Sequence, residues 1–196
     1  MSNKAVLWRK SVRELPSDVE GRRTLFLQLA KDHSELLSRI AIKLCQGNRD
    51  RAADCVQEAI ISAYKVFEAG KFTDLHHFKP WIVRIMTNAF LLDERRQKRM
   101  LVTDEVCDIV EGKQSLGQSE PERNLIEQGF SEEIEFAFGQ LPPEQRACVT
   151  LIDIEEMSYD EAADALNVPV GTIRSRLSRA RMKMANEIIK FRAGGR

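Results

Sequence analysis

Arg174, Ser175, Ser178 and Arg179 are the residues of this chain best equipped to read nucleic acid. A guanidinium fork donates to the edge of a guanine or to a phosphate, and a small hydroxyl lets a helix approach a groove closely. At about 100° per residue these four share the outer side of one helix. The inner side is an apolar ladder of Ile173, Leu177, Ala180, Met184 and Ile188. Between positions 171 and 196 eight basic residues face the single acid Glu187, so a net charge of zero hides a cationic end. Gly171 fits close helix–turn packing or backbone approach to a phosphate, and Thr172 fits a helix start near a phosphate. Arg176 and Arg181 lie nearer the buried edge and suit phosphate or acids of a partner. Upstream, Ser158 and Glu161 form a capping-box pattern, and Asn167, Val168 and Pro169 end the helix that it starts. Positions 158–183 therefore read as helix, tight turn, helix.

A second group lies in the first half. Phe72, His76, His77 and Phe78 interrupt a polar loop, and Trp81 follows Pro80 at a helix start. They fit a platform or pocket for an unstacked base, or a loop anchored by its aromatics. Asp54, Gln57 and Glu58 share the outward face of another helix, suited to a basic partner or simply to solvent.

Other chemistry is poorly represented. Cys45, Cys55, Cys107 and Cys148 are scattered without metal or redox spacing, and three of them fall at apolar helical positions. The adjacent His76 and His77 diverge on any regular element. Asp93 and Glu94 stand among four basic residues and read as a self-neutralising surface network. No enzyme constellation, metal or cofactor is expected.

The elements that must position these groups are all helical. Apolar residues recur at helical spacing over about 21–45 (Leu25, Leu29, Leu36, Ile40 and Leu44, with Phe26 and Leu37 widening the stripe), 50–69 (Ala52, Cys55, Val56, Ala59, Ile60, Ala63, Phe67) and 81–99 (Ile82, Ile85, Met86, Ala89). The pattern lapses over about 100–119 and resumes from Pro121 to about Gly139, then restarts after Leu141-Pro142-Pro143. The predicted fold is all-α, with two small helical domains joined by a flexible linker. The expected boundaries are an extension at 1–21, a first domain at 22–99, a linker at 100–120 and a second domain at 121–192. No apolar run approaches the roughly 20 residues of a membrane span. The N-terminus lacks a signal-peptide core, and a cytoplasmic location is expected.

Two blocks carry a family resemblance. Asp54-Cys55-Val56-Gln57-Glu58, followed by Phe78-Lys79-Pro80-Trp81-Ile82-Val83-Arg84-Ile85 and Asn88, resembles region 2 of bacterial sigma factors. Leu141-Pro142-Pro143-Glu144-Gln145-Arg146, followed by 159–181, resembles region 4, most of all that of the extracytoplasmic-function (ECF) group. The resemblance implies a non-enzymatic subunit that binds core RNA polymerase at the β′ clamp helices and β flap. It implies that Asp54, Gln57 and Glu58 dock on the clamp helices. It assigns Phe72, His76, His77, Phe78, Trp81, Arg84 and Asn88 to recognition and melting of the −10 element. It assigns Gly171, Thr172, Arg174, Ser175, Arg176, Ser178 and Arg179 to the −35 element. Promoter DNA and an anti-sigma factor are the further partners implied, with no membrane insertion.

Two other readings stay open on sequence grounds. A stand-alone helix-turn-helix regulator would leave Asp54–Glu58 and the Trp81 block without a task. A sigma-like decoy that titrates an anti-sigma factor would not need the arginine set.

Overall fold

The computed structural model describes residues 15–16, 18–72, 74–104 and 131–194. The N-terminal fourteen residues, Cys107, most of the expected linker and the start of the helix expected from Pro121 lie outside them.

Seven α-helices make up the described residues: α1 Val19–Leu44, α2 Arg49–Glu68, α3 Phe78–Asp104, α4 Glu132–Gly139, α5 Pro143–Val149, α6 Tyr159–Leu166 and α7 Val170–Gly194. A 3₁₀ turn, Leu75–His77, leads into α3, and a wide turn of π type, Thr150–Ile154, extends α5. No strand occurs among the described residues.

Helices α1, α2 and α3 form the first domain. Asp18 caps α1 by accepting from the Gly21 N–H at 2.7 Å. The chain then reverses through Gln46 (φ 55°) and Gly47 (φ 80°), and Asn48 caps α2 by accepting from the Arg51 N–H at 2.9 Å. The core is Phe26, Leu37, Ile40, Leu44, Ala59, Ala63, Phe67, Phe78, Ile82, Met86 and Phe90, all essentially inaccessible. The buried stripe of α1 holds Phe26, Leu29, Leu37, Ile40 and Leu44 of the expected set, with Leu25 and Leu36 at its margin. Small residues at Ala52, Ala59 and Ala63 let α2 lie close against its neighbours.

Helix α3 runs to Asp104 rather than ending near Arg99. No glycine or proline stands between 99 and 104, so nothing stops the helix where its apolar pattern lapses.

Helices α4–α7 form the second domain. Pro143 occupies the first turn of α5. Ser158 and Glu161 make the capping box in both directions, at 3.2 and 2.9 Å. Asn167 closes α6 in the left-handed region, φ 51°. The two domains pack on one another. Helix α3 lies along α6, and α5 meets the C-terminal end of α1.

Candidate nucleic-acid interface

The presenting helix of the site is α7. Ile173, Leu177 and Ala180 are buried, Met184 and Ile188 are half-buried, and Arg174, Ser175, Ser178 and Arg179 all face outward. Arg179 lies back along its own helix, with Nε donating to the Ser175 carbonyl at 3.1 Å. Ser175 Oγ donates to the Thr172 carbonyl at 3.0 Å. Arg174 behaves differently. Its guanidinium sits 5.8 Å from the ring centroid of Tyr159, the first residue of α6. The N-terminal turn of α7 and the first turn of α6 thus share one cationic, aromatic surface.

Arg176 is half-buried, and its charge acts on Cys148. Burial raises that thiol to about 11, an effect the Arg176 charge only partly offsets. Arg181 is held by Asp153, with Nε donating at 3.1 Å. The wide turn at Thr150–Ile154 places Asp153 there, and its acid partner is internal. Gly171 corrects one expectation: a side chain built there would meet nothing within 4 Å, so helix–turn packing does not require glycine.

The loop before α3 is anchored from within. Phe72 and Phe78 are 8% and 1% exposed, and Phe72 stacks on Trp81 with centroids 4.0 Å apart. Their faces are taken up by Phe26, Phe67 and Trp81, so they support the loop rather than form an open platform. His76 and His77 are exposed. Asp74 organises them: Oδ1 accepts from the His76 N–H at 3.1 Å, and Oδ2 lies 2.6 Å from His77 Nδ1. The bond from His77 holds the Asp74 carboxyl below the usual carboxylate range. Trp81 and Arg84 are half-buried and Asn88 is exposed, and their spacing brings them to one side of α3.

On α2, Asp54, Gln57 and Glu58 are all exposed, opposite the buried Ala52, Ala59 and Ala63. Ile61 joins them at 47% exposure. The sequence pattern did not single it out, because an isoleucine beside the half-buried Ile60 reads as core. One turn from Gln57 and Glu58, it supplies an apolar centre to an acidic and amide rim. Tyr159, Asp153 and Ile61 lie at these candidate surfaces and were missed by sequence reasoning. An aromatic at the first position of a capped helix was the one available signal.

Asp93 and Glu94 are neutralised from another helix rather than by the basic residues around them. Arg51 of α2 reaches Asp93 at 2.7 Å and Glu94 at 2.6 Å. Among the described residues no group of three or more histidines, cysteines or acids is placed to hold a metal ion. None of their helices is long and apolar enough to cross a membrane.

Comparison with known proteins bears on this geometry. The family model for Sigma-70 region 2 matches residues 29–100, and that for Sigma-70 region 4 matches residues 131–184. The chain is 31% identical over 177 residues to the ECF RNA polymerase sigma factor SigM of Mycobacterium tuberculosis, covering 90% of this chain and 84% of SigM. It is 34% identical over 165 residues to SigE of Mycolicibacterium smegmatis, covering 83% of this chain but 61% of that relative. Among solved structures, the sigma factor RpoE in complex with the anti-sigma factor NepR from Bartonella quintana superposes with a TM-score of 0.63 at 26% identity. That match covers 84% of this chain and 96% of RpoE. With regions 2 and 4 matched in order and this extent of shared chain, the protein belongs to the ECF subfamily of RNA polymerase sigma factors.

Proposed function

We propose that this chain binds core RNA polymerase and directs it to promoters through two DNA contacts, one on each domain. The observation that carries this reading is the pairing of surfaces within one chain. Helix α7 offers cations and hydroxyls suited to duplex DNA, while α2 offers Asp54, Gln57, Glu58 and the exposed Ile61, which suit a basic protein partner. A DNA reader acting alone has no use for the second surface.

In this reading Arg174, Ser175 and Ser178 meet the −35 element in the major groove, with Arg179, Arg176, Gly171 and Thr172 at the phosphate backbone. Trp81, Arg84, Asn88, His76 and His77 meet the −10 element, and Phe72 and Phe78 hold Trp81 in place. An unstacked base stacking on an aromatic contributes about 1–3 kcal/mol, comparable to a good bidentate base contact. Both contacts work by binding, with no covalent step. The neighbouring structure pairs a sigma factor with an anti-sigma factor, and an anti-sigma partner is proposed here as well.

The test is reconstituted transcription with purified core polymerase. The protein should bind core and give promoter-specific transcripts. The double variant Arg174→Ala, Arg179→Ala should bind core normally and lose promoter activity. Asp54→Ala with Glu58→Ala should lose core binding. Normal core binding by the α2 variant, or full promoter activity by the α7 variant, would defeat the assignment.

A further inference from the structure

The turn that opens α3 holds one histidine ring in a single orientation. Asp74 is bound to His77 twice. Its carbonyl accepts from the His77 N–H at 3.1 Å, and its carboxylate oxygen Oδ2 lies 2.6 Å from His77 Nδ1. The other oxygen, Oδ1, accepts from the His76 N–H at 3.1 Å, so the carboxylate cannot swing away without uncapping the 3₁₀ turn. Asp74 thus fixes the ring of His77 but only the backbone of His76. The next residue, Phe78, is 1% exposed and packs its ring against Phe26, Phe67, Phe72 and Trp81. The backbone that carries His77 is therefore anchored in the core of the first domain, while the His77 side chain is 66% exposed.

The bond to Asp74 decides what the exposed edge of the ring can do. A carboxylate has no hydrogen to give, so Nδ1 carries the proton and donates it. In the neutral ring Nε2 is then left bare and can only accept. A histidine without such a partner exchanges its two tautomers and offers a donor or an acceptor at the same edge. Placement matters as much as tautomer. His77 stands four residues before Trp81, which stands three before Arg84 and seven before Asn88. Through the 3₁₀ turn and α3 those steps make one line, so the imidazole extends the surface of Trp81, Arg84 and Asn88 by a turn.

We propose that His77, oriented by Asp74, is a specificity-determining residue of the −10 contact: Nε2 accepts from the exocyclic amine of an unstacked base, and so selects adenine or cytosine over guanine or thymine at one position. This rests on the function proposed above and names the chemical class of base that the site takes. Bases removed from the stack are read on their hydrogen-bonding edge. There adenine N6 and cytosine N4 are donors, whereas guanine O6 and thymine O4 are acceptors. A bare imidazole nitrogen facing a carbonyl oxygen would set two acceptors together with no hydrogen between them, and each would lose the water that satisfied it. Asp74 touches no base in this scheme. It is a positioning residue that acts through the ring.

The test uses holoenzyme rebuilt from core polymerase and the full chain, at about pH 8, the upper edge of the range in which histidine changes charge. Promoters randomised across the −10 element are scored for binding. The wild type should favour amino bases over keto bases about tenfold at one position. Replacing the favoured base by its analogue without the amine, purine for adenine or 2-pyrimidinone for cytosine, should cost the wild type that factor and cost His77→Phe nothing. His77→Lys puts a donor in place of the acceptor and should turn the preference toward keto bases, a reversal that a merely structural role would not give. Asp74→Ala frees the tautomer and should weaken the preference. Both side chains are exposed, so unchanged core binding serves as the check on folding. A −10 preference that His77→Phe and His77→Lys leave as in the wild type would overturn the inference and leave the function proposed above standing. Failure of the wild type to bind core, or to prefer any −10 sequence, would strike that function and this inference with it.

Discussion

Thr87 in the middle of α3 donates its hydroxyl toward the carbonyl of Ala165, the penultimate residue of α6, across 78 positions of sequence at 3.3 Å. The same oxygen also lies 2.9 Å from the Val83 carbonyl and 3.2 Å from the Arg84 carbonyl. Thr87 is fully buried. Thr87→Val keeps the shape and removes the donor, so it should cost about 1 kcal/mol in urea unfolding, with Thr87→Ser retaining most of the stability. A valine variant as stable as wild type would show that the hydroxyl contributes nothing net.

The entry to the helix-turn-helix should depend on Ser158 and on pH. Ser158→Ala removes one arm of the capping box and should cost about 1 kcal/mol. The Ser158 backbone N–H, with Lys79 adding, holds the Glu161 carboxyl below its ordinary range. A depressed folded-state pKa gives stability that is present above the unfolded value and lost as pH falls through the folded one. Glu161→Gln should therefore flatten the loss of Tm between about pH 6 and about pH 3 relative to wild type. The effect is modest, since the side chain is 41% exposed.

The two outward arginines of α7 should fail in different ways. Arg174 sits at the N-terminal turn, where a recognition helix meets base edges, and Tyr159 steadies it. Arg174→Ala should cost about 1–3 kcal/mol in holoenzyme binding to a −35 element and relax the preference at one base pair. Arg179, folded back on Ser175, suits phosphate. Arg179→Ala should weaken binding evenly across sequences and reduce the salt slope by about one. Competition titrations over a set of single-base variants and salt concentrations separate the two.

The thiols should be sluggish. Burial raises Cys55 to about 12 and Cys148 to about 11, and Cys45 is buried at the end of α1. At about pH 8 the thiolate fraction of Cys55 and Cys148 falls some 10²–10³-fold below that of a free cysteine. Iodoacetamide should label these three sites in the native protein far more slowly than in denaturant. Rapid native labelling at Cys55 or Cys148 would contradict this packing.

Much of this was readable from periodicity. Ile173, Leu177 and Ala180 were visible as the buried side of α7, and Asn167 as the end of α6, because a helix's own spacing and its caps are local facts. Periodicity also names the buried face without saying what covers it. Thr87 and Arg146 are buried by a partner domain, and no local pattern marks a polar residue for that fate. The same blindness explains Phe72 and Phe78. A loop carries no period, so an aromatic filling the core and one offered to a ligand look alike. The wide turn at Thr150–Ile154 was invisible because its residues continue the helical composition of α5.

The close approach of α6 to α3 also bears on inheritance. Ala162, Ala163 and Ala165 are all buried, and their short side chains are what allow α3 and α6 backbones to come within reach of one hydroxyl. A chain that combined the first domain of one relative with the second of another would have to keep this fit. A half bearing a bulky residue at position 165 or 87 would not seat on its new neighbour. Positions 87 and 165, 78 residues apart in sequence, are thereby constrained as a pair.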